Sequence, residues 1–121
     1  MANQLPDQFS KAHALLLKHF GFPAFRPAQR RVLRSVLLGR DTLAVLPTGG
    51  GKSLCFQIPA LMLRGLTIVV SPLIALMQDQ VAAGRAKGLP AAALNSTMSR
   101  TDQRTVMQEV IAGQVRLLYL E

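Results

Sequence analysis

Three consecutive glycines followed by a lysine and a serine are the residues of this sequence best suited to chemistry. They form the segment Thr48-Gly49-Gly50-Gly51-Lys52-Ser53. Glycines allow a tight turn whose N–H groups point at an anion, and a helix that begins just after the turn adds partial positive charge. A lysine at this place can reach the β- and γ-phosphates of a nucleotide, and the serine hydroxyl can ligate Mg²⁺. The segment therefore predicts a binding site for a nucleoside triphosphate and its Mg²⁺.

The segment departs from the full phosphate-loop signature at one position. That signature has a glycine five positions before Gly51, where this chain has Leu46. The Gly-Lys-Ser ending is present and lies between a predicted strand and a predicted helix, which is the context that such a loop requires. A glycine-rich turn with a chance lysine is therefore the weaker interpretation. The Gly-x-Gly-x-x-Gly fingerprint is absent, which argues against a nicotinamide cofactor.

Helical and strand patterns alternate along the chain and would position this loop. A helix is expected to end near Gly21, and Pro27 suits the first turn of the next helix. Ser99 and Asp102 resemble a capping box, and Pro59 indicates a kink or a restart. One expected helix ends near residue 21, and four others cover residues 27–38, 52–63, 74–83 and 99–113. The expected strands cover residues 42–46, 66–70, 91–94 and 116–120. This alternation predicts an α/β fold, a parallel sheet with helices on both faces.

The composition favours a polyanionic partner. There are 14 Lys and Arg residues against six Asp and Glu, which gives a formal net charge of +8, and half of the basic residues lie in positions 1–40. Such a surplus suits nucleic acid before a membrane. The longest apolar stretch, residues 66–77, is too short to span a bilayer, and no secretion signal opens the chain. A single cysteine excludes an internal disulfide and a multi-cysteine zinc site.

Several motifs in register resemble the RecQ DNA helicases of superfamily 2. Residues 19–29 (HFGFPAFRPAQ) look like motif 0 of that family, and residues 46–60 (LPTGGGKSLCFQIPA) resemble its motif I. Residues 69–81 (VVSPLIALMQDQV) are similar to motif Ia, residues 94–96 to the motif Ib region, and residues 117–119 to the strand that precedes motif II. The resemblance implies a P-loop, RecA-like domain that uses ATP and Mg²⁺ to unwind DNA in the 3′ to 5′ direction, in DNA repair and recombination.

The resemblance also implies roles for single residues. Arg26 and Gln29 would hold the adenine edge, and Phe22 would stack on the ring where relatives often have tyrosine. Thr48 through Ser53 would hold the phosphates, with Lys52 and Ser53 as the catalytic residues and Ser53 on Mg²⁺. The backbone of single-stranded DNA would meet five residues, Ser71, Pro72, Leu73, Asn95 and Ser96. The expected partners are ATP and single-stranded or tailed duplex DNA, without a membrane, in the cytoplasm of a bacterium or the nucleus of a eukaryote.

Two further parts of such a motor are not found in the sequence. Hydrolysis needs an acidic residue at a strand end to hold Mg²⁺ and a cationic finger. The family supplies the acidic residue in an Asp-Glu-x-His motif and the cationic finger from another RecA-like domain. Glu121 is the one acid at a predicted strand end. The family, however, places this strand one crossover before the acidic motif. We therefore expect an incomplete motor, with N-terminal helices over residues 1–40 and a partial ATP-binding domain over 41–121, that does not unwind DNA alone.

Two other functions remain open at this stage. A small P-loop kinase would share Gly-Lys-Ser but would need an acceptor site and lid arginines, and nothing in residues 66–121 looks like a lid. A truncated, non-catalytic product that binds only nucleic acid or a partner would bind DNA in a salt-sensitive way, indifferent to ATP and to Lys52.

Overall fold

The computed structural model describes residues 5–49 and 51–121 and contains, within them, five helices and three strands. In chain order these are α1 Leu5–Phe20, α2 Pro27–Leu37, α3 Leu54–Met62, β1 Thr67–Val70, α4 Ile74–Ala86, β2 Ala91–Leu94, α5 Arg100–Ile111 and β3 Leu117–Leu120. The α/β prediction is confirmed. The chain forms two compact units, residues 1–62 and 63–121. The boundary expected after residue 40 stays a prediction.

The first unit is a group of three helices whose ends follow from glycine and proline. Gly21 ends α1 at a φ of 71°, and Gly39 follows α2 at a φ of 76°, a left-handed conformation that glycine adopts without a Cβ penalty. Pro27 is the first residue of α2, as its ring geometry favours. Pro59 lies inside α3, which continues across it without a restart. The core is built from Ala12, Leu16, Phe25, Leu33, Leu54 and Ile58.

The strand expected over residues 42–46 is wrong. The structure gives residues 41–47 no regular secondary structure, and the side chains of Leu43 and Val45 are 92% and 87% exposed. A strand is stabilised by the hydrogen bonds of a neighbouring strand and by burial of its side chains. Among the described residues no strand pairs with this segment. An apolar pattern alone does not form a strand, because the strand also needs a neighbour to bond with.

The second unit contains a parallel sheet in the order β1-β3-β2. The central strand β3 pairs with both others, so that Leu117 lies between Thr67 and Ala91, and Leu120 lies between Val70 and Leu94. Because the strands are parallel, their carboxyl ends meet at one edge, where α/β folds commonly bind ligands. Residues 71–73, 95–96 and 121 follow these three ends directly.

Two helices cover opposite faces of this sheet, as the sequence predicted. Helix α4 lies on the face of Ala91, because a Cβ built on Gly84 would be 3.9 Å from the Ala91 Cβ. Helix α5 lies on the other face, where Val106 shares a buried cluster with Ala92 and Leu118. Ser99 caps α5 by accepting a hydrogen bond from the Asp102 N–H at 3.1 Å. Within the described residues no helix is long and apolar enough to cross a membrane.

Candidate functional site

The glycine-rich segment forms a turn that leads into the first turn of α3. Gly49 and Gly51 have φ angles of 79° and 77°. The Ser53 carbonyl accepts the Gln57 N–H at 2.9 Å, so the helical hydrogen bonds begin one residue before Leu54. Lys52 is exposed and Ser53 is half-buried. Thr48, which is also expected to contact the phosphates, is exposed in the same turn. Gly50, expected at the same place, lies outside the described residues.

Two residues of the first unit hold the carbonyl groups of this turn. Arg26 Nη1 donates to the Gly49 carbonyl oxygen at 2.6 Å. Gln29 Nε2 donates to the Gly51 carbonyl oxygen at 3.1 Å. A trans peptide holds its C=O and N–H groups in opposite directions, so the Lys52 N–H points away from Gln29. The contacts therefore hold the Gly49 and Gly51 carbonyls toward Arg26 and Gln29 and leave the Lys52 N–H on the opposite side of its peptide from Gln29.

Local sequence explains why Gln29 reaches this loop. It is the third residue of α2, and its Oε1 accepts the Arg26 N–H at 2.8 Å, the reciprocal half of a capping box. Its Nε2 is then aimed at Gly51. The side chain is only 3% exposed, although the amide keeps one further N–H and one further lone pair for another ligand.

The three residues expected at adenine are placed differently in the structure. Arg26 and Gln29 are brought together at the loop, whereas Phe22 lies in the connection between α1 and α2 with 49% of its surface exposed. The contacts from Arg26 and Gln29 to the loop were missed by sequence reasoning, which gave both side chains only to the base. A glutamine at the third position of a helix indicates a bond to the N-cap N–H, but it does not indicate the contact with the loop.

Cys55 also lies against the loop. Its Sγ is 4.0 Å from the Gly51 carbonyl oxygen, and burial raises the pKa of its thiol. The thiol is therefore protonated at neutral pH. Cys55 is a free, buried cysteine.

The first expected DNA-binding segment follows β1. Ser71 continues the ladder, since its N–H donates to the Leu120 carbonyl at 2.8 Å. Its Oγ accepts the Leu73 N–H at 3.3 Å just before α4 begins. Pro72 and Leu73 are exposed. These residues form the turn at the carboxyl edge of the sheet.

The second expected segment follows β2, and its two residues differ in accessibility. Asn95 is 5% exposed, and its Oδ1 accepts the Thr97 N–H at 3.0 Å and the Thr97 hydroxyl at 2.5 Å. Its Nδ2 is buried without a hydrogen-bond partner among the described residues. Ser96 is exposed. Asn95 therefore stabilises the turn, whereas Ser96 is accessible to solvent.

Glu121 follows β3 at the same edge and binds Ser96. The Ser96 N–H donates to Glu121 Oε1 at 2.8 Å, and the Ser96 hydroxyl donates to the same oxygen. Hydrogen bonds from the Ser96 side chain and backbone lower the pKa of the Glu121 carboxyl. The carboxyl is therefore ionised at neutral pH. Sequence reasoning considered Glu121 only as a metal ligand and missed this contact.

One further motif residue has a structural role. Gln80, in α4, accepts a hydrogen bond at its Oε1 from the Tyr119 hydroxyl at 3.0 Å. This bond ties α4 to the central strand. In residues 5–49 and 51–121 no group of three or more His, Cys, Asp or Glu side chains could hold a metal ion.

Comparison with known proteins identifies the family. The family model described as DEAD/DEAH box helicase matches residues 26–120, from the arginine that holds the glycine-rich turn to the end of β3. The chain belongs to the DEAD/DEAH box helicase family. The P-loop, RecA-like fold expected from the sequence agrees with this membership.

Relatives within this helicase family confirm the resemblance to RecQ proteins. The chain is 51% identical over 105 residues to the ATP-dependent DNA helicase RecQ of Synechocystis sp., covering 87% of the chain and 22% of that protein. It is 45% identical over 112 residues to the probable ATP-dependent DNA helicase RecS of Bacillus subtilis, covering 92% of the chain and 22% of the relative. It is 48% identical over 108 residues to the human ATP-dependent DNA helicase Q4, covering 86% of the chain and 9% of the relative. The chain thus spans about a fifth or less of the length of these relatives.

Proposed function

We propose that this chain is the ATP-binding part of a RecQ-type, ATP-dependent DNA helicase that moves in the 3′ to 5′ direction. The observation that carries the proposal is the pair of hydrogen bonds from Arg26 and Gln29 to the glycine-rich turn. They join the residues expected at the base to the residues expected at the phosphates. The relatives named ATP-dependent DNA helicase RecQ support the same activity.

The phosphate end of the site fits ATP and Mg²⁺. The carbonyls of Gly49 and Gly51 accept hydrogen bonds from Arg26 and Gln29. A Cβ atom added to Gly49 would have no neighbouring atom within 4 Å, so there is free space beside this residue. Lys52 would pair with the β- and γ-phosphates, and the Ser53 hydroxyl would ligate Mg²⁺. The metal ion would neutralise charge that develops on the phosphates during hydrolysis.

The base end of the site would use Phe22, Arg26 and Gln29. An exposed aromatic ring offers a stacking surface for adenine, and an amide can donate and accept at one base edge. Because Gln29 is buried and bonded to Gly51, reading adenine would use its remaining N–H and lone pair. Binding of the base would therefore act on the same side chain that orients the phosphate loop.

The DNA backbone would lie along the carboxyl edge of the sheet. Ser71 to Leu73 and Ser96 would offer N–H and hydroxyl groups to phosphate oxygens. Asn95 would act mainly through the turn that presents Ser96, since its side chain is buried. Two strand ends that meet at one edge support a continuous contact with a single strand. A protein that acts on DNA in this way would function in the bacterial cytoplasm or the eukaryotic nucleus.

A DNA-binding titration with and without ATP·Mg²⁺ tests the coupling of the two sites. We expect the affinity of the 121-residue chain for labelled single-stranded DNA to change with ATP·Mg²⁺, and Lys52→Ala to remove that change. Lys11→Ala, which removes the same charge from an exposed position of α1, should leave the change intact. DNA binding that ignores both ATP and Lys52 would favour the non-catalytic product. Phosphoryl transfer to a nucleoside monophosphate would favour the kinase.

We expect no unwinding by the chain alone, since a helicase also needs an acidic motif and a second motor domain. In a protein that joins these parts to this chain, a duplex with a 3′ single-stranded tail should be unwound and one with a 5′ tail should not. Unwinding by the 121 residues, abolished by Lys52→Ala, would contradict the expectation of an incomplete motor.

A further inference from the structure

An internal carboxylate occupies hydrogen-bond donors at the edge proposed for DNA. Ser96 follows β2 and Glu121 follows the neighbouring strand β3. The Ser96 N–H donates to Glu121 Oε1 at 2.8 Å, and the Ser96 hydroxyl donates to that oxygen as well. One oxyanion thus engages both donors of a single exposed residue.

The turn that contains Ser96 is stabilised by hydrogen bonds of the Asn95 and Gln103 side chains. The Asn95 side chain holds Thr97, and the Asn95 carbonyl accepts Gln103 Nε2 at 3.3 Å. Gln103 also donates to the Met98 carbonyl at 3.1 Å. Because these contacts do not involve Glu121, the backbone of the turn that carries Ser96 is held independently of the carboxylate.

A hydroxyl next to a backbone N–H is a donor pair that proteins use for phosphate oxygens. A carboxylate resembles one edge of a phosphate, since both present negative oxygens to such donors. Glu121 is exposed, so water and dissolved anions reach it. The donors would therefore be released to a competing anion if the carboxylate moved.

We propose that Ser96 forms a phosphate-binding site that Glu121 occupies in competition with external phosphate groups. The assignment of that phosphate to a DNA strand rests on the proposed function. Glu121 then lowers the affinity of this edge for DNA, both by filling the donors and by repelling the phosphate. A strand that binds here must displace the carboxylate from Ser96.

Replacement of Glu121 by glutamine tests the competition. Glu121→Gln removes the charge and keeps the size of the side chain, and we expect it to tighten binding of labelled oligothymidylate at low salt by about fivefold. The control is Glu109→Gln, which removes the same charge from the distant end of α5. We expect the control to change affinity much less, and the advantage of Glu121→Gln over it to shrink as salt rises.

Inorganic phosphate gives a second readout that does not depend on DNA. In ¹H–¹⁵N spectra, phosphate should shift the Ser96 amide of Glu121→Gln and leave that of the unaltered protein in place. Ser96→Ala in the glutamine background should reduce the response, since it removes one of the two donors. Equal responses of Glu121→Gln and Glu109→Gln in both assays would overturn the proposal.

The two assays also separate this proposal from the proposed function. A phosphate response at Ser96 in Glu121→Gln without any gain in DNA affinity would support the competition and contradict the DNA contact at this edge. A gain in DNA affinity with no response of the Ser96 amide to phosphate would overturn the competition and leave DNA binding in place.

Discussion

Gln29 and Gly51 form the contact that joins the two halves of the candidate nucleotide site. Gln29 Nε2 donates to the Gly51 carbonyl oxygen, and a Cβ built on Gly51 would stand 2.2 Å from that nitrogen. Gly51 also has a φ of 77°, which side chains rarely adopt. Two independent features of this position therefore favour glycine.

Substitution of the two loop glycines should separate these constraints. Gly51→Ala meets both an unfavourable φ and the buried Gln29 side chain, so we expect a loss of about 2–4 kcal/mol in the free energy of unfolding. Gly49→Ala meets only the unfavourable φ, because its built Cβ has open space, and should lose about 1–2 kcal/mol. Urea unfolding followed by far-ultraviolet circular dichroism measures both. Equal losses would show that the Gln29 contact places no demand on residue 51.

Replacement of Gln29 by glutamate should disturb the loop. A carboxylate cannot donate to the Gly51 carbonyl and would face it in a buried position. We expect weaker ATP·Mg²⁺ binding and a loss of about 1–3 kcal/mol in the free energy of unfolding. Gln108→Glu, an exposed position of α5, is the matched control. Unchanged nucleotide affinity in Gln29→Glu would separate Gln29 from the function of the loop.

The Glu121 carboxyl should titrate below its ordinary range because Ser96 donates to its ionised form. A depressed folded pKa contributes stability above the unfolded pKa, and that stability is lost as the pH falls through the folded pKa. Ser96→Ala removes the hydroxyl, so the pKa of Glu121 should rise toward its ordinary value. Carboxyl ¹³C chemical shifts measured against pH in both proteins check this. An identical titration would mean that the hydroxyl does not bind the carboxylate in solution.

Loss of the Tyr119 hydroxyl should weaken the second unit modestly. Tyr119→Phe removes the hydrogen bond to Gln80 while the ring stays buried at 2% exposure. We expect a loss of about 0.5–1.5 kcal/mol in the free energy of unfolding. Thr105→Val, which removes a hydroxyl from an exposed helical position, should cost less. An unchanged free energy of unfolding in Tyr119→Phe would indicate that the hydrogen bond has no net effect on stability.

Local signals in the sequence predicted most of the fold. The helix end at Gly21 and the cap at Ser99 follow from the backbone preferences of single residues, so periodicity and turn chemistry located them. The strand over residues 42–46 depends on a partner elsewhere, and its apolar pattern could not supply one. The parallel direction of the strands was predictable because strands alternate with helices along the chain.

The candidate site was predictable in its residues and less so in its contacts. The loop and the residues expected at the base came from motifs, but the bond between Gln29 and Gly51 links positions 22 residues apart. The contact between Ser96 and Glu121 likewise depends on which strands are neighbours. Such pairings are set by tertiary packing, which a local pattern does not encode.

Calorimetric titration of the chain with ATP in the presence of Mg²⁺ measures directly whether the glycine-rich loop binds a nucleotide. We predict measurable binding by the unaltered protein, a loss of at least about tenfold in affinity for Lys52→Ala, and little change for Lys11→Ala, since Lys52 lies at the phosphate loop and Lys11 does not. Equal ATP affinity in the unaltered protein and Lys52→Ala would contradict this prediction.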